Sequence, residues 1–480
     1  MTAIHSHRSR SPMLIAPHAL VSPLLFMAAD IRAIEQHWLA AHPKDALMEK
    51  AGSAVAELAT ALANESGAPV LILAGPGNNG GDALVAARLL QQQGFRVLVV
   101  SRADPGRLPP DAARAWSGWR DSGGTILNEI PRSQAFSLLI DGLFGVGLQR
   151  DITGETAHWI VQARSLDCPK LAIDMPSGLD SDSGRIRGCG FRADHTITFL
   201  GLKPGLLTAD GPDYAGTLHL DTLGVNQKTL PAKPGIALTQ LASHHHLPAR
   251  AQNSHKGLYG HVAIIGGHSG MVGACLIAGR AALKQGAGSV TLGTLDDRIV
   301  VDYAEPRLMF AFPETLLGHQ MQALAIGPGL GQSTRAHALL VVALAAPCPL
   351  ILDADALTLL ANDRDLVHQA SQRSQSTLLT PHPGEAAKLL DLTVDDVQAN
   401  RIEIAHALSQ KFQAEIALKG AGTVIAHPNG RYAINTSGGP WLAQAGSGDC
   451  LTGMVAGLLG QGMAASHALE AAVWLHGSHC

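Results

Sequence analysis

The sequence lacks a disulfide framework, an excess of charge of either sign, and any apolar run long enough to cross a membrane. Six cysteines, Cys168, Cys189, Cys275, Cys348, Cys450 and Cys480, are spread over 480 residues, and none forms a CxxC pair. In a chain of this length that usage excludes a disulfide scaffold and fits a reducing, cytoplasmic compartment. The formal net charge of -4 argues against partnership with nucleic acid or an acidic membrane. A nucleotide would have to be held by local dipoles and glycine-rich turns. Arg8 and Arg10 precede an apolar stretch from Met13 to Ala29. Pro17, His18 and Pro23 interrupt it and no clean cleavage pattern follows, so residues 1–26 read as a poorly ordered extension rather than a secretion signal. His244, His245 and His246 read as part of an exposed polar linker. His476, His479 and Cys480 read as a frayed terminus, because no metal-ligand spacing accompanies either group.

What is present is enough chain for two cores of about 200–250 residues each. Val70–Ala74, Val97–Val100, Leu138–Asp141 and Leu171–Asp174 read as short buried strands, with helices over Ala83–Gln93 and Glu155–Ser165 between them. That alternation predicts a parallel sheet with helices on its faces. A second α/β block follows. Its strands are His261–Ile265, Val290–Gly293, Ala323–Ile326, Leu350–Asp353, Ser376–Thr380 and Glu415–Leu418. Its helices are Ala274–Lys284, Glu385–Leu390 and Cys450–Leu459. Two prolines in Leu230–Pro234 and a polar, histidine-rich stretch place a linker at 226–250. The domains are then 27–225 and 251–480.

In the first block, Gly75-Pro-Gly-Asn-Asn-Gly-Gly-Asp82 joins a strand to a helix start, where free amides can bind an anion. Gly75, Gly77 and Gly80 satisfy G-x-G-x-x-G, but Asn78 and Asn79 sit inside the turn. The next strand ends in Ser101-Arg102, where a dinucleotide site would put an acid. Asp82 reads equally as a helix cap and as a functional group. Leu139-Ile-Asp-Gly-Leu-Phe-Gly-Val-Gly147 and Ala172-Ile-Asp-Met-Pro-Ser-Gly178 put Asp141, Asp174 and Ser177 at two more strand ends. Such ends converge on one crevice. Asn79, Asp141 and Ser177 offer hard oxygens for a cation, and Asp174 a carboxylate for proton transfer.

Together GPGNNGGD, IDGLFGVG and IDMPSGL resemble the NAD(P)HX epimerase domain, which has a Rossmann-like three-layer fold. The resemblance implies that Asn78, Asn79, Gly80, Gly81 and Asp82 surround the substrate with Gly145, Val146, Gly147, Leu148, Gln149, Arg150 and Asp151. It implies a potassium site at Asn79, Asp141 and Ser177, and substrate contact by Asp174, our choice for the acid/base group. Ala83 departs from the family's usual glycine, and its methyl is expected to narrow the pocket.

In the second block, Ala445-Gly-Ser-Gly-Asp-Cys450 opens a helix. Small residues there let the amides of Gly446, Ser447 and Gly448 converge as an anion hole for a phosphoryl group, with Asp449 placed to take a proton from a hydroxyl. The bland alternative is a capped helix start. Lys419 closes a strand before the flexible turn Gly420-Ala-Gly-Thr423, and His382 lies in the strand-end turn Thr380-Pro-His-Pro-Gly-Glu385. None of these is a Walker loop. The set is ribokinase-like and resembles more closely the ADP- or ATP-dependent NAD(P)H-hydrate dehydratase, whose opening is similar to the run His255–Ala274. The resemblance implies that Ala274, Gly329, His382 and Asp449 meet the hydrated cofactor. It also implies that Lys419, Gly420, Ala421, Gly422, Thr423 and Gly448 meet the nucleotide, with magnesium on its phosphates.

The implied activity is repair of hydrated NADH and NADPH. The R and S epimers interconvert in the first domain, and the second removes water from the S form by phosphorylating the added hydroxyl and expelling phosphate. The alternatives are a ribokinase-like kinase of a vitamin or sugar hydroxyl, and a nucleotide-sensing scaffold with a decayed second domain. The family usually continues through a further helical segment after Leu475-His-Gly477, so the C-terminus reads as shortened and the second domain as weakened. Neither the choice between ADP and ATP nor assembly into a homo-oligomer is legible in the sequence.

Overall fold

The computed structural model describes residues 13–15, 23–42, 46–64, 67–132, 134–226, 234–239 and 251–479. The histidine run, Cys480 and most of the extension and linker lie outside these residues. The chain forms two compact units, which divide at Pro234–Gly235.

In the first unit, strands run in the spatial order Met13–Ile15, Thr217–Asp221, His195–Phe199, Lys170–Ile173, Leu138–Gly142, Val70–Ala74, Val97–Val100 and Ile126–Leu127. All neighbours are parallel except the first pair. The continuous apolar run Val70–Ala74 is buried at every position because both sheet faces are covered. Val70, Ile72 and Ala74 join the core under helices Leu47–Leu62 and Asn78–Gln92. Leu71 and Leu73 point the other way, onto Trp159 and Ile160 of helix Gly154–Arg164. Three layers result, with the parallel strands ending on one edge.

The second unit has the order Met309–Ala311, Ser289–Thr294, His261–Gly266, Ala323–Ile326, Leu350–Leu352, Thr377–Leu379, Glu415–Leu418, Val424–Ala426, Tyr432–Asn435 and Gly235–Leu238. It is parallel as far as Glu415–Leu418, which then pairs antiparallel with Val424–Ala426. Helix Ser447–Gly460 lies tight against helix Val272–Gln285, since a Cβ on Gly453 would stand 2.0 Å from the Ala278 carbonyl. Helix Ala465–His479 closes the core with Ala468, Leu469, Ala472 and Trp474 against Ala417, Ile425 and Ala433.

Several sequence expectations need correction. The extension expected to be poorly ordered supplies the edge strand Met13–Ile15. The helix expected from Ala83 begins at Asn78 behind Gly77, so Asp82 sits in its second turn and caps nothing. Ala83 is fully buried against Gly142 and does not line the cavity described below. The helix expected from Cys450 begins at Ser447 after Gly446, whose φ of 87° needs glycine. The terminus read as frayed is helical through His479, with His476 buried.

Candidate active sites

In the first unit, strand Lys170–Ile173 stops one residue before Asp174, which turns left-handed with φ 65°. Only a few non-glycine residues tolerate that geometry, Asp and Asn among them. The turn aims the carboxylate into a cavity of about 790 Å³ that Asn78, Asn79, Asp82, Gly145, Val146, Gly147 and Leu148 also line. Gly80 and Gly81 are not in that lining. They let the helix start approach Gly75 on one side and Met48 and Ala112 on the other. Gln149, Arg150 and Asp151 are exposed and outside the lining.

Asp174 does not stand alone. Lys203 is wholly buried and donates from Nζ to Asp174 Oδ1, to Thr198 Oγ1 at 2.8 Å and to the Phe199 carbonyl at 2.9 Å. Asp82 lies in the same cavity. Burial, reinforced by Asp174 and Glu35, holds its carboxyl well above the usual carboxylate range. Burial and Asp174 also raise Glu35. The first unit therefore gathers a buried Lys–Asp pair and two carboxyls whose pKa values burial raises around one cavity.

Asp141 is fully buried beneath this site and accepts from Ser177 N at 2.8 Å, Ser177 Oγ at 2.7 Å and Leu143 N at 3.1 Å. Burial pushes it up to about 6 against those three hydrogen bonds. Asn79 has a buried side-chain nitrogen without a partner. A buried carboxyl bonded to the Ser177 hydroxyl and without a described ion-pair partner offers hard oxygens of the kind a cation takes, whereas the unpartnered Asn79 nitrogen is a donor that suits an acceptor.

In the second unit, Lys419 ends strand Glu415–Leu418 and reaches Asp353 Oδ1 at 2.8 Å and Glu385 Oε2 at 3.9 Å. Asp353 also accepts from Thr452 Oγ1 at 2.7 Å. Burial pulls Lys419 down, but Asp353 and Glu385 outweigh it and hold its ammonium above the ordinary lysine range. Burial and Asp353 raise Asp449 to about 6, while burial, partly offset by Lys419, leaves Glu385 at about 7. A Cβ on Gly448 would stand 3.3 Å from Lys419 Nζ, so the ammonium and the helix start face one small space. The Ser447 amide is already bonded to the Gln444 carbonyl at 3.3 Å. Among the described residues the amides of Gly448 and Asp449 have no backbone acceptor. Of the three amides expected to converge, those of Gly446 and Gly448 are without a backbone acceptor among the described residues, and that of Ser447 is committed.

Gly329 and Ala274 come together, for a Cβ on Gly329 would meet the Ala274 Cβ at 3.3 Å. His382 caps helix Pro383–Leu390, accepting at Nδ1 from Gly384 N at 3.0 Å and Glu385 N at 3.3 Å. Its Nε2 lies 3.4 Å from Glu385 Oε1. Gly420 has φ 137° and packs on the buried Arg401 guanidinium, which donates to the carbonyls of Leu418 at 3.1 Å and Lys419 at 3.3 Å. Arg401 thus holds the turn 419–423 from below.

Sequence reasoning missed Lys203, Glu35, Thr452 and Arg401, and it met Asp353 and Glu385 only as members of strand-end turns, without a role. Asp353 and Lys419 are 66 positions apart, and no local pattern joins them. Lys203 did carry a signal, a lone lysine between Leu202 and Pro204 after an apolar strand.

Parallel strand ends carrying a Lys–Asp pair in one unit, and a glycine-opened helix beside a lysine in the other, define a fused pair of α/β enzymes for nucleotide substrates. Residues 262–480 match the family model described as NAD(P)H-hydrate dehydratase, and residues 44–205 match that of the YjeF-related protein N-terminus. The bifunctional NAD(P)H-hydrate repair enzyme Nnr of Escherichia coli is 38% identical over 420 residues, covering 85% of this chain and 79% of that one. Its Coxiella burnetii counterpart is 37% identical over 419 residues, covering 85% and 84%. The Bacillus subtilis ADP/ATP-dependent NAD(P)H-hydrate dehydratase, co-crystallized with ATP/Mg2+, is 35% identical with a TM-score of 0.44, over 50% of this chain and 85% of that one. This chain belongs to the family of bifunctional NAD(P)H-hydrate repair enzymes.

Proposed function

We propose that the first unit interconverts the epimers of hydrated NADH and NADPH, and that the second returns one epimer to the usable cofactor at the expense of ADP or ATP. In the first cavity Asp174 moves the proton, and Lys203 fixes its carboxylate and offsets its charge. Asn78, Asn79, Asp82 and residues 145–148 enclose the hydrated ring and its nucleotide. Potassium, where bound, would be held by Asp141, Ser177 and Asn79. It would neutralise the buried Asp141 and stiffen the two turns that carry Phe144 and Ser177.

In the second unit the difficulty is the leaving group, because hydroxide leaves poorly. Asp449 takes the proton of the added hydroxyl. The hydroxyl oxygen forms a bond to the terminal phosphorus of the nucleotide, and the shortened nucleotide departs. The carbon–oxygen bond then breaks with its electrons going to phosphate, the neighbouring ring carbon gives up a proton to the departing phosphate or to water, and the electrons of that carbon–hydrogen bond restore the ring double bond. The amides of Gly448 and Asp449 and the Lys419 ammonium stabilise the phosphoryl group in flight. Asp353 and Glu385 are hard oxygen donors of the kind that hold magnesium on nucleotide phosphates. Magnesium there would neutralise phosphate charge. We place the reaction in a reducing cytoplasm, in keeping with six scattered cysteines and no CxxC pair.

The observation that carries this reading is the meeting of Asp449, Gly448 and Lys419 at one helix start. The test is incubation of hydrated NADH with ADP or ATP, following NADH absorbance and free phosphate. Absorbance and phosphate should rise together. A product that retains the phosphoryl group would establish a kinase instead, and no reaction with folded protein a scaffold.

A further inference from the structure

We infer that His476 is a positioning residue for dehydration, donating from Nε2 to the Ser447 hydroxyl so that this hydroxyl in turn donates to the transferring phosphoryl group. The inference rests on the phosphoryl site proposed above. His476 Nε2 stands 3.2 Å from Ser447 Oγ. Ser447 is the first residue of the helix whose second residue, Gly448, would carry a Cβ 3.3 Å from Lys419 Nζ. A serine in that first turn is free to bond local backbone groups in several rotamers. A donor from outside the helix removes that choice and leaves the hydroxyl proton for a ligand.

The placement of His476 is built by the last helix, not by its own loop. Gly477 meets the Ser437 turn so closely that a Cβ would stand 2.2 Å from Ser437 Oγ. Ser437 Oγ donates to the Trp474 carbonyl at 2.7 Å, and Asn435 Nδ2 to the Val473 carbonyl at 3.4 Å. One turn earlier Glu470 bonds the buried His427 at 3.0 Å. These contacts fix the helix in register, and His476 is only 8% exposed. Burial and the nearby Lys419 lower its pKa against a backbone hydrogen bond at Ser447. Both effects favour the uncharged imidazole, which would supply one N–H rather than a second cation beside Lys419.

The test is a double-mutant cycle on the full chain, reading dehydration kcat and nucleotide KM separately. His476→Leu should lower kcat about tenfold, the scale of one oriented hydrogen bond, and leave the nucleotide KM near its wild-type value. His476→Gln, whose amide N–H reaches the same place, should recover most of the rate. His476→Asn is polar but too short, and should lose as much as His476→Leu; it carries the test if the apolar variant fails to fold. In a Ser447→Ala background none of these changes should cost more. Further loss there, unchanged kcat in both His476→Leu and His476→Asn, or no recovery with His476→Gln would overturn the inference. A silent Ser447→Ala would sink the role of the hydroxyl and this inference with it, but not the phosphoryl site, whose own failure would show as undiminished dehydration in Asp449→Asn. A damaging Ser447→Ala beside silent His476 variants would sink only the role of His476.

Discussion

The two units each place an aspartate–lysine pair at a strand end, but they bury it differently. Lys203 is 0% exposed and Asp174 turns left-handed to meet it, whereas Lys419 keeps 20% of its side chain exposed above Asp353. A cation removed from water holds its partner's charge strongly and cannot swing to a ligand. A lysine with one-fifth of its side chain exposed can share its charge with an incoming phosphate. The first arrangement suits proton transfer on one enclosed substrate, and the second suits a site where two molecules must meet.

The largest break in this comparison is Lys203→Met. It leaves Asp174 without its buried counter-charge, so epimerisation should fall by about a thousandfold and the first unit lose about 3–5 kcal/mol. Epimer interconversion by chromatography and denaturant unfolding measure the two effects. Lys419→Met should be milder, because Thr452 still bonds Asp353. Nucleotide KM should rise about ten- to a hundredfold, read from dehydration kinetics. If Lys419→Met proved as destructive to folding as Lys203→Met, the contrast between closed and open pairs would fail.

A pH profile sharpens the second site. Asp449, raised to about 6 by burial and Asp353, must be ionised to accept the hydroxyl proton. Dehydration kcat/KM should therefore decline below about pH 6, by about tenfold per further unit. Asp449→Glu should move the inflection, and an unmoved inflection would assign it to another group.

The smallest effect on chemistry comes from a third buried pair, away from both sites. His427 bonds Glu415 Oε2 at 2.5 Å and Glu470 Oε1 at 3.0 Å, and against the pull of burial these carboxylates raise it to about 9. Its folded pKa lies above the unfolded value of 6.5. The stabilisation is thus complete below that value and fades as pH rises through about 9. His427→Phe should cost about 3 kcal/mol in the second unit and flatten this pH dependence of unfolding.

Much of the frame was legible because a buried parallel strand is a short apolar run closed by polar residues. Val70–Ala74, Val97–Val100, Ala323–Ile326 and Glu415–Leu418 fall where the sequence puts them. Asp174 and Asp449 were legible for the same reason, as polar residues at the ends of such runs or at glycine-opened helices. Their partners were not. Lys203, Asp353 and His476 act through contacts across strand ends or from a distant helix, and each looks ordinary in its own neighbourhood. Helix starts were misread by three to five residues because Gly80, Gly81 and Gly448 read as turn, yet close packing on Gly75, Met48 and Lys419 requires them inside helices.

The central claim is that one chain holds two separable sites for one damaged cofactor. The direct measurement gives purified R and S hydrates separately to Asp174→Asn and Asp449→Asn, with ADP and ATP in parallel. Asparagine keeps the left-handed turn at 174, so the first change removes charge and leaves the backbone in place. Asp174→Asn should dehydrate the S hydrate and leave the R hydrate untouched, while Asp449→Asn should interconvert the two and restore neither. Loss of both activities in either well-folded variant would contradict the account.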